Sequence, residues 1–167
     1  MSDVQVIVGI DNGVSGGLCA ISSFDGSVID SIAMPTEEAS GKTEVYVKGI
    51  LYWLDQFPPL STAVAVEEPL RHAKSSQAIR SMSISFGKII GLCETVLYPT
   101  YRIQVKEWQD VELGKRLAKG QTKVVALAKA KQYWPDENWL ATSRSKVPHD
   151  GIVDSALIAR YYLHHRQ

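Results

Sequence analysis

The sequence predicts an α/β fold in which a mixed β-sheet carries helices on both faces. Two continuous apolar, β-branched runs, residues 4–11 and 61–69, are typical of buried strands. A turn signal between residues 17–23 and 27–34 predicts a hairpin directly after the first strand. Amphipathic stretches occupy most of the remaining chain. We therefore expect a three-stranded antiparallel meander that is extended by parallel strands.

The helices are predicted from apolar residues at helical spacing. Residues 37–57 predict the first helix, and the Pro-Pro pair at 58–59 ends it. Further helices are predicted at residues 75–96, 121–134 and 149–165. A short strand is expected at residues 101–105, followed by an irregular polar segment at 106–120.

Length and composition are those of one globular domain, which we expect to span residues 1–167. Hydrophobic residues make up 45% of the chain and charged residues 22%. The two cysteines, Cys19 and Cys93, fit no metal-ligand spacing, so we expect reduced core thiols and a cytoplasmic protein. The N-terminal residues resemble no signal peptide, and no apolar run is long enough to cross a membrane.

The net charge of zero hides a strong asymmetry along the chain. Residues 1–70 carry two Lys and Arg against ten Asp and Glu, a net charge of −8, whereas residues 71–131 carry twelve against four, a net charge of +8. Segregated basic charge favours a polyanionic partner such as nucleic acid. The alternative is that the two parts of the chain intermix in space and their fields cancel.

Two carboxylates end predicted buried strands. Asp11 follows the first strand and precedes a glycine-rich stretch, GVSGG, and Glu67 ends the strand at 61–69. Neighbouring parallel strands would bring both acids to one edge of the sheet, where α/β folds bind ligands. We prefer Glu67 to Glu68 because it continues the small-residue face of the strand. Taken singly, each acid could equally be a turn residue or a solvated strand end.

Two further carboxylates, Asp150 and Asp154, lie four residues apart at the start of the last predicted helix, so they share one of its faces. Either one alone could be a helix-capping acid. Four converging carboxylates need cations, and oxygen ligands suit Mg²⁺ or Mn²⁺. Two such ions roughly 3.5–4 Å apart can clamp a phosphodiester. The small residues after Asp11 would then leave room for a DNA backbone.

The acidic motifs resemble those of RuvC-type Holliday junction resolvases in the RNase H-like superfamily. The resemblance is carried by GIDNGVSGGLCAI, VAVEEP and HDGIVDSALIARYYL, and connecting elements similar to those of short phage-encoded members extend it over nearly the whole chain. It implies a homodimer that nicks four-way DNA junctions symmetrically. It also implies two Mg²⁺ ions, replaceable by Mn²⁺, and no nucleotide cofactor. The implied metal ligands are Asp11, Glu67, Asp150 and Asp154, with Lys123 near the scissile phosphate.

One position departs from the family pattern. Family members often place the last two ligands three residues apart, but Gly151 stands three residues before Asp154 here. Either His149 or Asp150 therefore completes the set, and we favour Asp150, one helical turn from Asp154.

The basic part of the chain supplies candidate DNA contacts. Phosphate contacts by Lys and Arg position DNA without reading its sequence. The candidates are Arg71, His72, Lys74, Arg80, Lys106, Lys115, Arg116 and Lys119. Trp108 is interpreted as a buried anchor, with base stacking as the alternative. Gly87 and Gly91, four residues apart, mark a candidate dimer surface.

Three alternative functions remain open from the sequence. The nearest is a less selective branched-DNA or flap nuclease on the same fold. Another is a binding-only relative that has lost its metal site, which the four acids disfavour. The third is an actin-like kinase or ATPase fragment, but this chain has no second glycine-rich phosphate loop and is short for such a protein.

Overall fold

The computed structural model describes residues 4–71 and 75–165. Its strands are β1 (Val6–Asp11), β2 (Gly17–Ser22), β3 (Val28–Ala33), β4 (Thr36–Ala39), β5 (Lys42–Val45), β6 (Thr62–Glu67) and β7 (Thr100–Ile103). Its α-helices are α1 (Val47–Leu54), α2 (Ser76–Thr95), α3 (Val105–Glu112), α4 (Thr122–Tyr133) and α5 (Asp150–His165). A single 3₁₀ turn, Pro59–Ser61, precedes β6.

Five strands form the central sheet in the order β3-β2-β1-β6-β7. The first three strands pair antiparallel, which is the predicted meander. β6 then pairs parallel with β1, and β7 pairs parallel with β6. The predicted mixed α/β sheet is therefore confirmed.

Each face of this sheet has its own hydrophobic core. Helices α3, α4 and α5 cover one face, and the fully buried Leu157 of α5 lies in that core. Helices α1 and α2 cover the other face, where Ile50 and Ile89 are fully buried. The thiols of Cys19 and Cys93 are free and buried, one in each core, as predicted. Helices therefore lie on both faces of the sheet.

The predicted helix at residues 37–57 is wrong over its first half. The hairpin β4–β5 occupies that region and forms a separate two-stranded sheet. Its turn residues, Ser40 and Gly41, have φ of 51° and 72°. Two successive residues with positive φ are what a type I′ hairpin turn requires. Only the C-terminal part of the segment, α1, is helical.

The irregular segment expected at residues 106–120 begins instead with α3. Gln104 and Glu107 form a reciprocal capping box that starts this helix. Trp108 and Glu112, one turn apart, are both buried on its inner face. The polar composition of this segment predicted a loop, although Trp108 was predicted as a buried anchor. The burial of Glu112 was not predicted.

No helix in residues 4–71 or 75–165 is long and apolar enough to cross a membrane.

Candidate active site

Asp11 and Glu67 lie side by side at one edge of the sheet. The parallel pairing of β1 and β6 runs as far as Ile10 opposite Val66, and the two acids follow directly. Glu67 continues the strand face of Ala63 and Ala65, which contributes to the α5-side core, as the alternation predicted. Side chains alternate between faces along a strand, so both acids point toward α5.

Glycines allow α5 to lie directly against this edge. A Cβ on Gly9 would stand 2.0 Å from the carbonyl oxygen of Ser155, and one on Gly17 would stand 2.7 Å from Gly151. Gly16 and Gly151 also pair as an isolated parallel β-bridge. The close approach brings the first two turns of α5, with Asp150 and Asp154, to the end of β1.

This packing corrects the interpretation that the small residues leave room for DNA. The space that a side chain would need at three glycines around Asp11 is already occupied. Atoms of α5 occupy it at Gly9 and Gly17, and the adjacent loop backbone occupies it at Gly16. Gly13 alone among the glycines of this loop has no heavy atom closer than 3.7 Å to an added Cβ. Its backbone N–H donates to Oδ1 of Asp11 at 3.3 Å. The glycines therefore mainly position the acid-bearing helix.

The three inner carboxyls influence one another electrostatically. Burial raises the pKa of Asp11 to about 6, although the Gly13 hydrogen bond and Lys123 oppose the rise. Burial, with the charges of Asp11 and Asp154, raises the pKa of Glu67 to about 8. Burial, with the charges of Asp11 and Asp150, raises the pKa of Asp154 to about 7. Ionising all three at neutral pH therefore costs free energy that a bound cation would offset.

Glu67 is held by two neighbouring side chains. The indole N–H of Trp108 donates to Oε1 of Glu67 at 2.7 Å. The Asn12 amide donates to the main-chain oxygen of Glu67, while Oδ1 of Asn12 is buried with no partner among the described residues. Trp108 has no exposed surface. Its prediction as a buried anchor is confirmed, and base stacking is excluded.

Lys123 and Asp150 form an ion pair at the outer side of the site. Their Nζ and Oδ2 atoms are 2.5 Å apart, and both side chains are at least half exposed. This pairing is the main reason that the pKa of Lys123 is raised. The charges of Asp154 and Asp11 also raise the pKa of Lys123, by less than Asp150 does.

His149 has a structural contact at the start of α5. Its Nδ1 accepts from the backbone N–H of Ile152 at 3.3 Å, and its carbonyl accepts from Ile152 and Val153. This is a helix-capping arrangement. Asp150, by contrast, contributes its charge to the site beside Asp154. The geometry therefore favours Asp150 over His149 as the fourth member of the candidate ligand set.

The donor set suits a hard divalent cation, since carboxylate oxygens are the ligands that Mg²⁺ and Mn²⁺ prefer. The excess of partly buried negative charge suits such a cation as well. Within residues 4–71 and 75–165, however, no three His, Cys, Asp or Glu side chains are arranged as a ready-made metal cluster. Asp150 is turned to Lys123, and Glu67 to Trp108.

The candidate DNA-binding cations are exposed wherever the structure describes them. The exposed residues are Arg71, Arg80, Lys106, Lys115, Arg116 and Lys119. None of them takes part in the three ion pairs within the described ranges. His72 and Lys74 lie outside the described residues.

The predicted dimer surface on α2 is open in the single chain. No heavy atom lies within 4 Å of a Cβ built on Gly87 or Gly91. Both glycines are exposed. Its use as a dimer contact stays a prediction.

Comparison with solved structures finds proteins that share this fold. A Thermus thermophilus RuvC in complex with a Holliday junction substrate superposes with a TM-score of 0.61, covering 95% of this chain and 92% of that chain at 17% identity. The fold is that of RuvC. A second T. thermophilus RuvC structure has a TM-score of 0.53 at 16% identity, covering 95% of both chains. No family model matches the sequence, and no curated protein matches it.

The RuvC fold confirms the resemblance drawn from the acidic motifs, and it gives no support to the actin-like alternative. Two contacts beside the candidate site were not predicted from the sequence: the hydrogen bond from Trp108 to Glu67 and the backbone bridge between Gly16 and Gly151. The capping residues Gln104 and Glu107 were a readable signal for α3. No local signal pairs Gly151 with Gly16, since 135 residues separate them in the sequence.

Proposed function

We propose that this chain is a divalent-metal-dependent endonuclease that resolves four-way DNA junctions as a homodimer. One observation carries the proposal. On a RuvC fold, Asp11, Glu67 and Asp154 lie together at the strand edge, and burial raises the pKa of each, with the charge of Asp11 adding to the rise for Glu67 and Asp154. A structural role would not require three acids to share such an environment, whereas active sites commonly do.

Asp11, Glu67, Asp150 and Asp154 would hold two Mg²⁺ ions, replaceable by Mn²⁺, which would supply an activated water and stabilise the leaving oxygen. Other residues of the chain would contact the DNA. Lys123 lies beside Asp150 and is exposed, so its ammonium can contact a phosphate at the site. The exposed Arg and Lys residues would bind the flanking backbone.

The substrate is inferred from the RuvC complex, whose partner is a Holliday junction substrate. A four-way junction contains symmetry-related strands, and two copies of one active site would suit paired nicks. A single active site per chain therefore predicts a dimer for resolution. The open Gly87 and Gly91 face of α2 is our candidate for the contact between the copies.

The test is a side-by-side digestion of four-way junction, flap and duplex DNA, with the nicks mapped on each strand. We expect paired symmetric nicks near the branch point of the junction, only when Mg²⁺ or Mn²⁺ is present. Asp11→Asn should abolish cutting and leave junction binding intact. Asp136→Asn, an exposed acid outside the site, is the matched control and should cut normally.

Two outcomes would overturn the proposal. Normal cutting by the Asp11→Asn variant would contradict the assignment of Asp11 to the metal site. Equal cutting of flaps and junctions would instead support the broader branched-DNA nuclease.

A further inference from the structure

Helix α3 contacts two of the three elements that carry the candidate metal ligands, β6 and α5. Toward β6, the indole N–H of Trp108 donates to Oε1 of Glu67 at 2.7 Å. Toward α5, one guanidinium nitrogen of Arg160 donates to both carboxylate oxygens of Glu112, at 2.9 and 2.8 Å. A single helix thus links β6, which carries Glu67, to α5, which carries Asp150 and Asp154.

The two contacts of α3 lie on the same face of the helix. Trp108 and Glu112 are four residues apart, so their side chains project one turn from each other. Both are buried, with 0% and 2% of their surface exposed. The guanidinium carbon of Arg160 also lies 3.7 Å from the centroid of the Tyr133 ring, so α4 contacts the same arginine. Charge-assisted hydrogen bonds of this kind are stronger than those between neutral groups and add geometric specificity.

The hydrogen bond from Trp108 engages Oε1 of Glu67 and leaves Oε2 free of this contact. An indole can only donate, so Trp108 fixes which oxygen of Glu67 faces the protein. Partners that orient a metal-ligating carboxylate contribute to metal affinity. The same effect is expected here if Glu67 is a ligand.

We propose that α3 is a brace that sets Glu67 relative to α5, with Trp108 as a positioning residue for the metal site. This inference rests on the proposed metal-dependent function. Trp108 touches neither the cation nor DNA in this role. It acts through the orientation of Glu67, and the Arg160–Glu112 contact keeps α3 in register with Asp154.

Trp139 provides a control that distinguishes a positioning role of Trp108 from its contribution to core packing. It belongs to the same core as Trp108 and is 2% exposed, but its indole N–H has no hydrogen-bond partner among the described residues. Trp108→Phe and Trp139→Phe therefore remove the same atoms from one core. Only the first variant removes a hydrogen bond to a candidate ligand.

The experiment measures Mn²⁺ binding to the full chain by titration calorimetry, beside thermal unfolding of each variant. We expect Trp108→Phe to weaken Mn²⁺ binding by about 10–100-fold, the usual effect of removing a ligand's orienting partner. Trp139→Phe should change it by less than about threefold. Both variants remove buried indole atoms and should destabilise the fold, Trp108→Phe more so because it also loses a hydrogen bond. Glu112→Gln keeps the size of the side chain, is less disruptive than a truncation, and should also weaken binding.

The outcomes separate this inference from the proposed function. Wild-type binding with equal Mn²⁺ affinities for Trp108→Phe and Trp139→Phe would overturn the positioning role and leave the nuclease proposal standing. If Trp108→Phe does not fold, wild-type affinity in Glu112→Gln would overturn the brace. A wild-type chain that binds no Mn²⁺ would overturn the metal-dependent function, and this inference with it.

Discussion

Gly16 and Gly151 pair as a parallel bridge between the loop after β1 and the first turn of α5. A Cβ built on Gly151 would stand 2.3 Å from the carbonyl carbon of Gly16. No side chain larger than hydrogen fits between the two backbones. The pair therefore sets how closely Asp150 and Asp154 approach Asp11.

Gly151→Ala should destabilise the protein, because the new methyl group can be accommodated only by moving α5 away from β1. We expect a decrease of about 1–3 kcal/mol in the free energy of unfolding, as for other overpacked sites. Urea unfolding followed by circular dichroism would measure it. Gln132→Ala, at an exposed position on α4, is the control and should change the free energy of unfolding by less than about 0.5 kcal/mol. Wild-type stability in Gly151→Ala would contradict the close approach of the two backbones.

Metal-free protein should lose stability as the pH rises from about 4 to about 8. Asp11, Glu67 and Asp154 have folded-state pKa values of about 6, 8 and 7, above their ordinary values of 3.8, 4.5 and 3.8. The folded state therefore holds protons that the unfolded state releases, and this stabilisation disappears as those groups ionise. Thermal unfolding across this range in EDTA would measure the slope. A transition temperature that climbs steadily over the same range would contradict the raised pKa values.

Asp154→Asn should stabilise the metal-free protein at pH 8 and flatten its pH dependence. The amide is nearly isosteric and cannot ionise, so the cost of a partly buried charge beside Asp11 is removed. We expect a gain of about 2 kcal/mol, below what the pKa change alone implies, because Asp154 is partly exposed to water. Asp136→Asn, an exposed control, should leave the profile unchanged. Lower stability of Asp154→Asn at pH 8 would contradict the electrostatic repulsion.

Lys123→Ala should reduce junction cleavage without reducing stability. Its ion pair with Asp150 is largely exposed, with the two side chains 73% and 50% accessible, and such pairs contribute little to folding. We expect nicking rates to fall at least about tenfold, a typical cost of removing a charge at a reacting phosphate. Lys131→Ala, on the same helix and exposed, is the control. Unchanged single-turnover rates in Lys123→Ala would remove Lys123 from the active site.

The exposed cations should give junction binding a steep dependence on salt. Removing one lysine that binds a phosphate should lower the slope of log K against log salt by about 1. Lys115→Ala and Lys119→Ala are the test variants, because both side chains are exposed and lie in the basic part of the chain. Lys48→Ala, exposed on α1 in the acidic part, should leave the slope unchanged. Fluorescence anisotropy at several salt concentrations would measure it, and equal slopes for all three variants would exclude the two lysines from the DNA interface.

The sheet and the strand-end acids were predictable because their signals are local. A buried strand is an unbroken apolar run, and Asp11 and Glu67 interrupt two such runs at their carboxyl ends. The alternation that preferred Glu67 to Glu68 also held, since Glu67 is buried on the α5 side. These features depend on neighbours within a few residues.

The hairpin β4–β5 and the helix α3 were mispredicted because local patterns conflicted there. Apolar residues near the start of α1 have helical spacing, and the prediction extended that helix back across a Ser40–Gly41 turn. In α3 the polar residues outnumber the anchors, although Trp108 and Glu112 are the ones that matter for packing. Tertiary contacts decided both cases.

The sequence by itself determined the antiparallel meander, the two further strands, the helices α2, α4 and α5, the acids at the strand ends and the pair of acids on α5. It also determined the segregation of charge along the chain. Only the tertiary structure decided that Gly151 meets Gly16, that Trp108 holds Glu67 and that Asp150 is paired with Lys123. The physical reason is distance along the chain. Periodicity records which face of an element is buried, whereas contacts between residues far apart in sequence exist only once the packed sheet and helices bring them together.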